Sequence, residues 1–500
     1  MQFSFIDSCI VIVYLIGSVV YGIISAGKQK NSNDYFMGGK RLSWWSVGFS
    51  IVASETSTLT FISIPGLAYK SNFFFLQLVF GYFIGRMFVT FFFIPAYYKG
   101  NLETAYDFLG KRFGLLLRKV SSSIFIVTRV LASGVRLFAT AIPVHLITGL
   151  DYPVCIAVIG IFTLIYTYLG GLKAVVAMDV VQMFIYIGGA VASLLIIFSY
   201  LPNGAQDVFN FAVSNGQNKF QIFNLNFSNG FGEFFASPYT LVGALLGGTF
   251  LAMASHGTDQ LLVQRLLGCK SKRESQKALM LDASMIFLQF AFFLFLGVAL
   301  YTFYNGVSFE NLTLNSTGLK LSSSDEIFPK FIIENLPVGV AGIVIAGVLA
   351  SAMGTLSSAI SSLASSTYLD LFQNKKTDSI QNPRNEMFWS RIFTLLWGIL
   401  LIGGAMLFRD TKNPVVELGL SIASFTYGGL LGTFLLGLFF KHLKQIDALI
   451  GFVAGIIGMV FVIYFTKVAY TWYTIISVIT TIFIANLIYF IRIKFFRINS

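Results

Sequence analysis

Between Trp44 and Tyr69 runs an apolar segment long enough to cross a bilayer, yet its centre is four hydroxyls and a carboxylate in a row: Ser54, Glu55, Thr56, Ser57 and Thr58. A charge at membrane depth is costly unless it meets a partner or water, so Glu55 marks a functional site by default. Ser and Thr compete with the backbone ladder, and a helix that unwinds here exposes carbonyls able to bind a small hard cation. Hydroxyls alone serve equally well as a close helix-packing face. Glu55 is what favours a broken, ion-binding helix. A second hydroxyl cluster, Ser351, Thr355, Ser357, Ser358, Ser361, Ser362, Ser365 and Ser366, lies in a span at about 335–371. Ser357 and Ser361 are i,i+4 neighbours. Together the two clusters make a sodium-site candidate, because hard oxygen donors suit a hard cation.

Charges elsewhere in the apolar segments narrow the chemistry further. Arg129 and Arg136 sit two turns apart on one face of a long span, and guanidinium groups suit bidentate capture of a carboxylate. A structural ion pair with an acid is the equally weighted alternative for both. Arg86 lies deep and calls for a buried acid, whereas Arg265 and Arg391 are expected to snorkel from the inner ends of their helices. Asp179 falls just inside the span after Gly170-Gly171-Leu172, where a helix cap is the plain alternative.

The elements that hold these residues follow from composition. At 56% hydrophobic, 11% charged and mean hydropathy +0.77, the 500 residues describe a polytopic helical membrane protein. Cys9, Cys155 and Cys269 have no paired spacing and read as small hydrophobes, and three histidines make a His-based metal site unexpected. Residues 1–25 lack a basic leader and a small-residue cleavage site, and so read as a retained first span. Thirteen spans are expected, at about 5–25, 44–69, 72–98, 115–148, 152–169, 174–201, 236–265, 275–304, 335–371, 387–408, 414–440, 446–466 and 470–491.

Alternate loops then collect most of the Lys and Arg (Lys28 to Arg41, Lys99 to Lys119, Lys270 to Lys277, Lys375, Lys376 and Arg384). The other set holds only Lys70, Lys219, Lys320, Lys330, Arg409, Lys412 and Lys467. The positive-inside rule places the N-terminus outside and the C-terminus in the cytoplasm. The +12 charge is therefore a matter of topology, and nucleic acid is not an expected partner. The longer connections, 202–235 and 305–334, fall outside, the second with sequons at Asn311 and Asn315.

Several spaced motifs carry a resemblance to the sodium:solute symporter family. Gly149-x-x-Tyr152, the apolar run from Ile156 to Phe162, then Tyr166-Thr167-Tyr168-Leu169-Gly170-Gly171-Leu172-Lys173-Ala174 is similar to its signature. So are the stretches from Thr104 to Gly114, from Val176 through Asp179 to Gln182, and from His256 through Asp259 to Arg265. The resemblance covers roughly residues 5–440. It implies the inverted five-plus-five helix repeat of the bacterial leucine transporter: 1–43 as an extra helix and inner loop, 44–201 as the first repeat, and 202–235 as an outer loop. The second repeat would be 236–440, and 441–500 two further helices with a short inner tail. The first helix of each repeat would be broken, here near Ala53–Ser57 and around Gly247–His256.

The resemblance also implies a sodium site from carbonyls of Ala53, Thr56 and Gly354 and hydroxyls of Ser357 and Ser358. A second sodium would use Asp179, Ser357 and Ser361, although one serine of that pattern is Ile360 here. Solute contacts would come from Ser57, Thr60, Glu55, Arg129 and Arg136.

The expectation is a sodium-coupled symporter that imports a small organic solute, an anion such as a sialic or other carboxylic acid. Its partners would be sodium ions, the solute and membrane lipid. Proton coupling through Glu55 and Asp179 is the alternative within transport. A membrane sensor that binds the solute without moving it is the alternative outside transport; such sensors append an output domain, and this chain stops at Ser500. No zinc spacing, nucleophile elbow or phosphate loop argues for an enzyme.

Overall fold

The computed structural model describes residues 4–214, 218–225, 230–315, 318, 320–373, 383–407 and 415–498. Lys375, Lys376, Arg409, Lys412 and the Ser316 and Thr317 of the second sequon lie outside the described residues. Among the described residues every regular element is a helix, apart from two isolated bridges. We label the long helices in chain order: α1 (Phe5–Ala26), α2 (Trp44–Glu55), α3 (Thr58–Lys70), α4 (Phe75–Gly100), α5 (Leu115–Thr148), α6 (Tyr152–Tyr200) and α7 (Leu241–Thr258). They continue as α8 (Gln260–Leu267), α9 (Lys272–Phe303), α10 (Val340–Ser366), α11 (Pro383–Met406), α12 (Val415–Phe439), α13 (Gln445–Phe465) and α14 (Tyr473–Ile498).

Among the described residues ten helices are long and apolar enough to cross a membrane, or eleven when α2 and α3 count as one span bent by 58°. The sequence count of thirteen is not reached by that measure. One reason is α6, whose 49 residues are two helices meeting at Gly171 (φ 57, ψ −157). That conformation is open to glycine, and a Cβ there would lie 2.6 Å from the Tyr35 carbonyl oxygen. Large apolar side chains such as Phe5, Ile24, Phe461 and Ile479 stand exposed on α1, α13 and α14, as surfaces meant for lipid do. The polar chemistry is inside instead: Ser357, Ser358, Asp179, His256 and Arg265 have no exposed surface.

The first break forms as the hydroxyl run predicts. Thr56 (ψ 80) and Ser57 (ψ 168) leave helical geometry. The Thr56 hydroxyl donates to the Val52 carbonyl at 2.7 Å, and the Ser57 amide turns to the Glu55 carbonyl at 2.9 Å. The Ala53 carbonyl thereby loses the partner that a continuous helix would give it.

The second break lies elsewhere than expected. Gly247 and Gly248 remain helical within α7, which continues to Thr258, and the chain opens at Asp259 (ψ 120). The glycines serve packing. A Cβ on Gly248 would sit 2.2 Å from the Leu78 carbonyl oxygen and one on Gly81 2.3 Å from that of Leu245, so α4 and α7 meet backbone to backbone. Asp259 makes the break because its side chain accepts from the Leu261 amide at 2.9 Å, capping α8.

Asp7 ties the first helix to the bundle. It completes the cap of α1 with Ser4 and accepts from the amides of Gly339 and Gly342, each at 2.8 Å, at the start of α10.

Candidate functional site

The two hydroxyl clusters meet. Ser54 and Ser358 hydroxyls lie 3.0 Å apart, as do those of Thr58 and Ser351, so the α2–α3 break packs directly on α10. Gly354 sits at this contact. Around the point where its Cβ would stand are Gln182 Oε1 at 2.9 Å, Asp179 Oδ1 at 3.3 Å and the Ala53 carbonyl oxygen at 3.9 Å. The Asp179 and Gln182 oxygens are buried without a hydrogen-bond partner. Orphaned oxygens converging on a backbone with no side chain suit a hard cation. Of the other residues expected there, Ser357 and Ser358 donate to the Gly354 carbonyl at 3.0 and 2.6 Å, and the Thr56 hydroxyl accepts from Gln289 Nε2 at 2.5 Å.

Arg265 does not snorkel. It is wholly buried, and its Nη2 donates to Asp179 Oδ2 at 3.0 Å and to the Ser358 hydroxyl at 2.5 Å, while Nε donates to Ser50 at 2.8 Å. A buried guanidinium is tolerable only with such partners, and here the nearest acid lies on the neighbouring α6. Asp179 is therefore no helix cap; its Oδ2 also accepts from Ser50 at 2.5 Å. Ser361 takes part separately, accepting from Gln264 Nε2 at 3.3 Å, and Ile360 is buried.

Beside this contact opens a cavity of about 120 Å³. Its wall includes Glu55, Ser57, Thr60, Arg129 and Arg136, so all five residues expected to touch solute face one space. Phe75, Tyr82, Phe290 and Leu251 supply an apolar side. The two arginines differ. Arg129 pairs with Asp259, which also accepts from the Tyr427 hydroxyl. Arg136 has no carboxylate within ion-pairing distance among the described residues, and its Nε is buried without a partner.

Glu55 is not a free carboxylate. Arg86 Nη2 donates to it, Arg86 Nε donates to Asp282 at 2.6 Å, and His256 Nε2 stands 3.0 Å from Glu55 Oε1 and 3.4 Å from Asp282 Oδ2. Glu55, His256 and Asp282 make the one group among the described residues with metal-ligating atoms close together, and the Arg86 guanidinium already supplies positive charge there. Arg86 thus finds the buried acid its depth called for. Asp282 and Tyr427 had no signal in sequence, whereas Gln182, Asp259 and His256 lie inside the motifs quoted above.

Broken helices around a buried polar cavity, in a bundle of apolar helices, define a transporter of small solutes. The sodium:solute symporter family profile matches residues 35–455, and the chain belongs to that family. It is 26% identical to the sodium/sialic acid symporter SiaT of Proteus mirabilis, over 95% of this chain and 93% of that one. It is 30% identical to the sodium-coupled monocarboxylate transporter 1 of Mus musculus, over 87% of this chain and 69% of that one. The solved structure of a Na+-coupled sialic acid symporter, substrate-bound and outward-open, superposes with a TM-score of 0.85 at 25% identity, covering 97% of this chain and 98% of that one. The nucleobase-cation symporter Mhp1 shares the fold at a TM-score of 0.52 and 13% identity, over 92% and 94% of the two chains. The protein is a multi-pass membrane transporter that couples solute import to sodium, and it is not an enzyme.

Proposed function

We propose that the imported solute is a small organic anion, a sialic acid or another carboxylic acid, held by Arg136. The observation that carries the reading is the guanidinium itself: it lines the cavity, is largely buried, and has no acid of its own. A buried cation without a counter-ion is costly, so a bound carboxylate completes the site. Ser57 and Thr60 supply hydroxyls, and Arg129 and Glu55 shape the wall through their partners. Two of the relatives named above, symporters of sialic acid and of monocarboxylates, are consistent with an acid as cargo.

Sodium is assigned to the contact between the first break and α10, through the carbonyls of Ala53, Thr56 and Gly354 and the hydroxyls of Ser357 and Ser358. Asp179 offers that ion an unpaired oxygen, Oδ1, but little net charge, because Arg265 holds Oδ2. A second sodium on Asp179, Ser357 and Ser361 is disfavoured by Arg265, which already neutralises Asp179, and by Ile360. The topology proposed is thirteen spans, N-terminus outside and C-terminus inside. Residues 44–201 and 236–440 form the inverted repeats, 1–43 the leading helix and inner loop, 202–235 the outer loop and 441–500 the closing pair. The bend at Gly171, which divides α6 in two, and the α2–α3 pair taken as one span support this count.

Uptake into proteoliposomes tests the whole reading. A panel of N-acetylneuraminate, lactate, pyruvate, proline and glucose is offered with and without an inward sodium gradient. Sodium-driven uptake of a carboxylate is expected, with the half-saturating concentration raised about tenfold or more by Arg136→Ala. Uptake confined to the sugar would sink the anion assignment.

A further inference from the structure

His256 is buried in the cavity wall with both ring nitrogens committed to unusual surroundings. Nε2 lies between two carboxylates, 3.0 Å from Glu55 Oε1 and 3.4 Å from Asp282 Oδ2, yet makes no well-aligned hydrogen bond to either. A bare nitrogen lone pair facing two anionic oxygens is repelled, so Nε2 carries hydrogen whenever either acid is ionised. Nδ1 faces partners of both kinds: the Ser255 hydroxyl at 2.8 Å, which can donate or accept, and the Ala252 carbonyl at 3.1 Å, which only accepts. An unprotonated Nδ1 accepts from Ser255, and a protonated one donates to Ala252. Neither state leaves Nδ1 unsatisfied.

The charges around the ring come from every element packed against it. Glu55 ends α2, Arg86 stands on α4 and Asp282 on α9; across the cavity lie Arg129 and Arg136 of α5, Asp259 at the second break and Tyr427 of α12. In the immediate cluster, two carboxylates and one guanidinium leave one negative charge beside a neutral imidazole. Across the cavity, Arg129 is balanced by Asp259 and only Arg136 awaits an anion.

We propose that His256 is the proton-binding site of the solute cavity, and that it gains a proton when the anion arrives. The solute's carboxylate cancels the field of Arg136, and the ring, already flanked by two acids, then becomes the place where positive charge is best accommodated. The proton leaves with the solute when the cavity opens to the other side, so the chain carries a proton besides sodium. The coupling rests on the carboxylate reading of the cavity given above.

The test uses full-length protein in lipid nanodiscs with sodium present, labelled with 15N at histidine. The chain has three histidines, so His256→Gln assigns the signal. In the solute-free protein, the His256 ring is expected to pass between imidazole and imidazolium within the pH range over which the protein stays folded. At a fixed pH within that transition, N-acetylneuraminate or pyruvate should increase its imidazolium fraction at least about twofold. A ring that keeps one protonation state throughout overturns the proposal, as does a ring whose protonation is the same with a probe demonstrably bound. If neither probe binds, it is the carboxylate reading that fails; the solute-free titration still decides whether His256 is a proton site.

Discussion

A guanidinium is worth most to an anion when nothing else has claimed it, and that separates Arg136 from Arg129. Arg136→Ala should raise the half-saturating solute concentration about tenfold or more, the scale of a lost charge-assisted contact of roughly 2 kcal/mol, while leaving the thermal midpoint near wild type. Arg129→Ala instead strands Asp259 in a buried site. Its main effect is expected on stability, about 3 kcal/mol or more, read as a lowered unfolding midpoint in detergent. The reverse pattern would make Arg129 the solute ligand. Ser357→Ala removes one oxygen and little volume. It is expected to raise the sodium concentration for half-maximal uptake severalfold with the fold intact, and an unchanged sodium dependence would place the ion elsewhere. Ser358→Ala is the less clean variant, since Ser358 also holds Arg265. At this scale the sequence was legible where types cluster locally, as in the hydroxyl run and the paired arginines. It was silent on partners. Arg86 with Asp282, and Arg129 with Asp259, are brought together from more than a hundred residues apart, and no local pattern encodes such a pairing.

The elements show why one break was placed correctly and the other was not. Ser54 to Thr58 interrupt an apolar run with hydroxyls that bond back to their own helix, which is a local cause of unwinding. Gly247 and Gly248 looked equally disruptive. Glycine in a membrane helix has a second use, however, and here it lets α4 and α7 touch backbones. The decisive residue was Asp259, a helix-capping type within a quoted motif. Gly248→Ala follows from this crossing. Its Cβ would meet the Leu78 carbonyl oxygen, which belongs to backbone and cannot swing aside. The two helices must separate, at a cost of about 1–3 kcal/mol. The unfolding midpoint should fall, and the expressed fraction with it. Gly403→Ala on α11, with nothing within 4 Å of its Cβ position, should change neither.

Across the whole molecule, the broken helix is anchored at its C-terminal end by a loop remote from it in sequence. Lys219 is 2% exposed; its ammonium donates to the Tyr69 carbonyl at 2.7 Å, in the last turn of α3, and lies 4.0 Å above the Tyr301 ring. A cation at a helix C-terminus and over an aromatic face is stabilised by both. Burial nevertheless pushes the Lys219 ammonium down to about 8 from the usual lysine value of 10.5. The unfolded chain therefore holds its proton up to about pH 10.5, whereas the folded one releases it near 8. Between those values the unfolded state binds more protons, so this group makes stability rise with pH; below about 8 both states are charged and its contribution is level. Lys219→Met keeps much of the apolar stem and has nothing to titrate. The difference in unfolding midpoint, wild type minus variant, should therefore grow in favour of wild type as pH rises through that window. A difference that is constant with pH would show that the ammonium is as well solvated in the folded protein as in the unfolded chain. The same variant frees the Tyr69 carbonyl, so amide exchange at the C-terminal end of α3 and in residues 218–225 is expected to quicken at neutral pH, with the centre of the break at Thr56 and Ser57 unaffected.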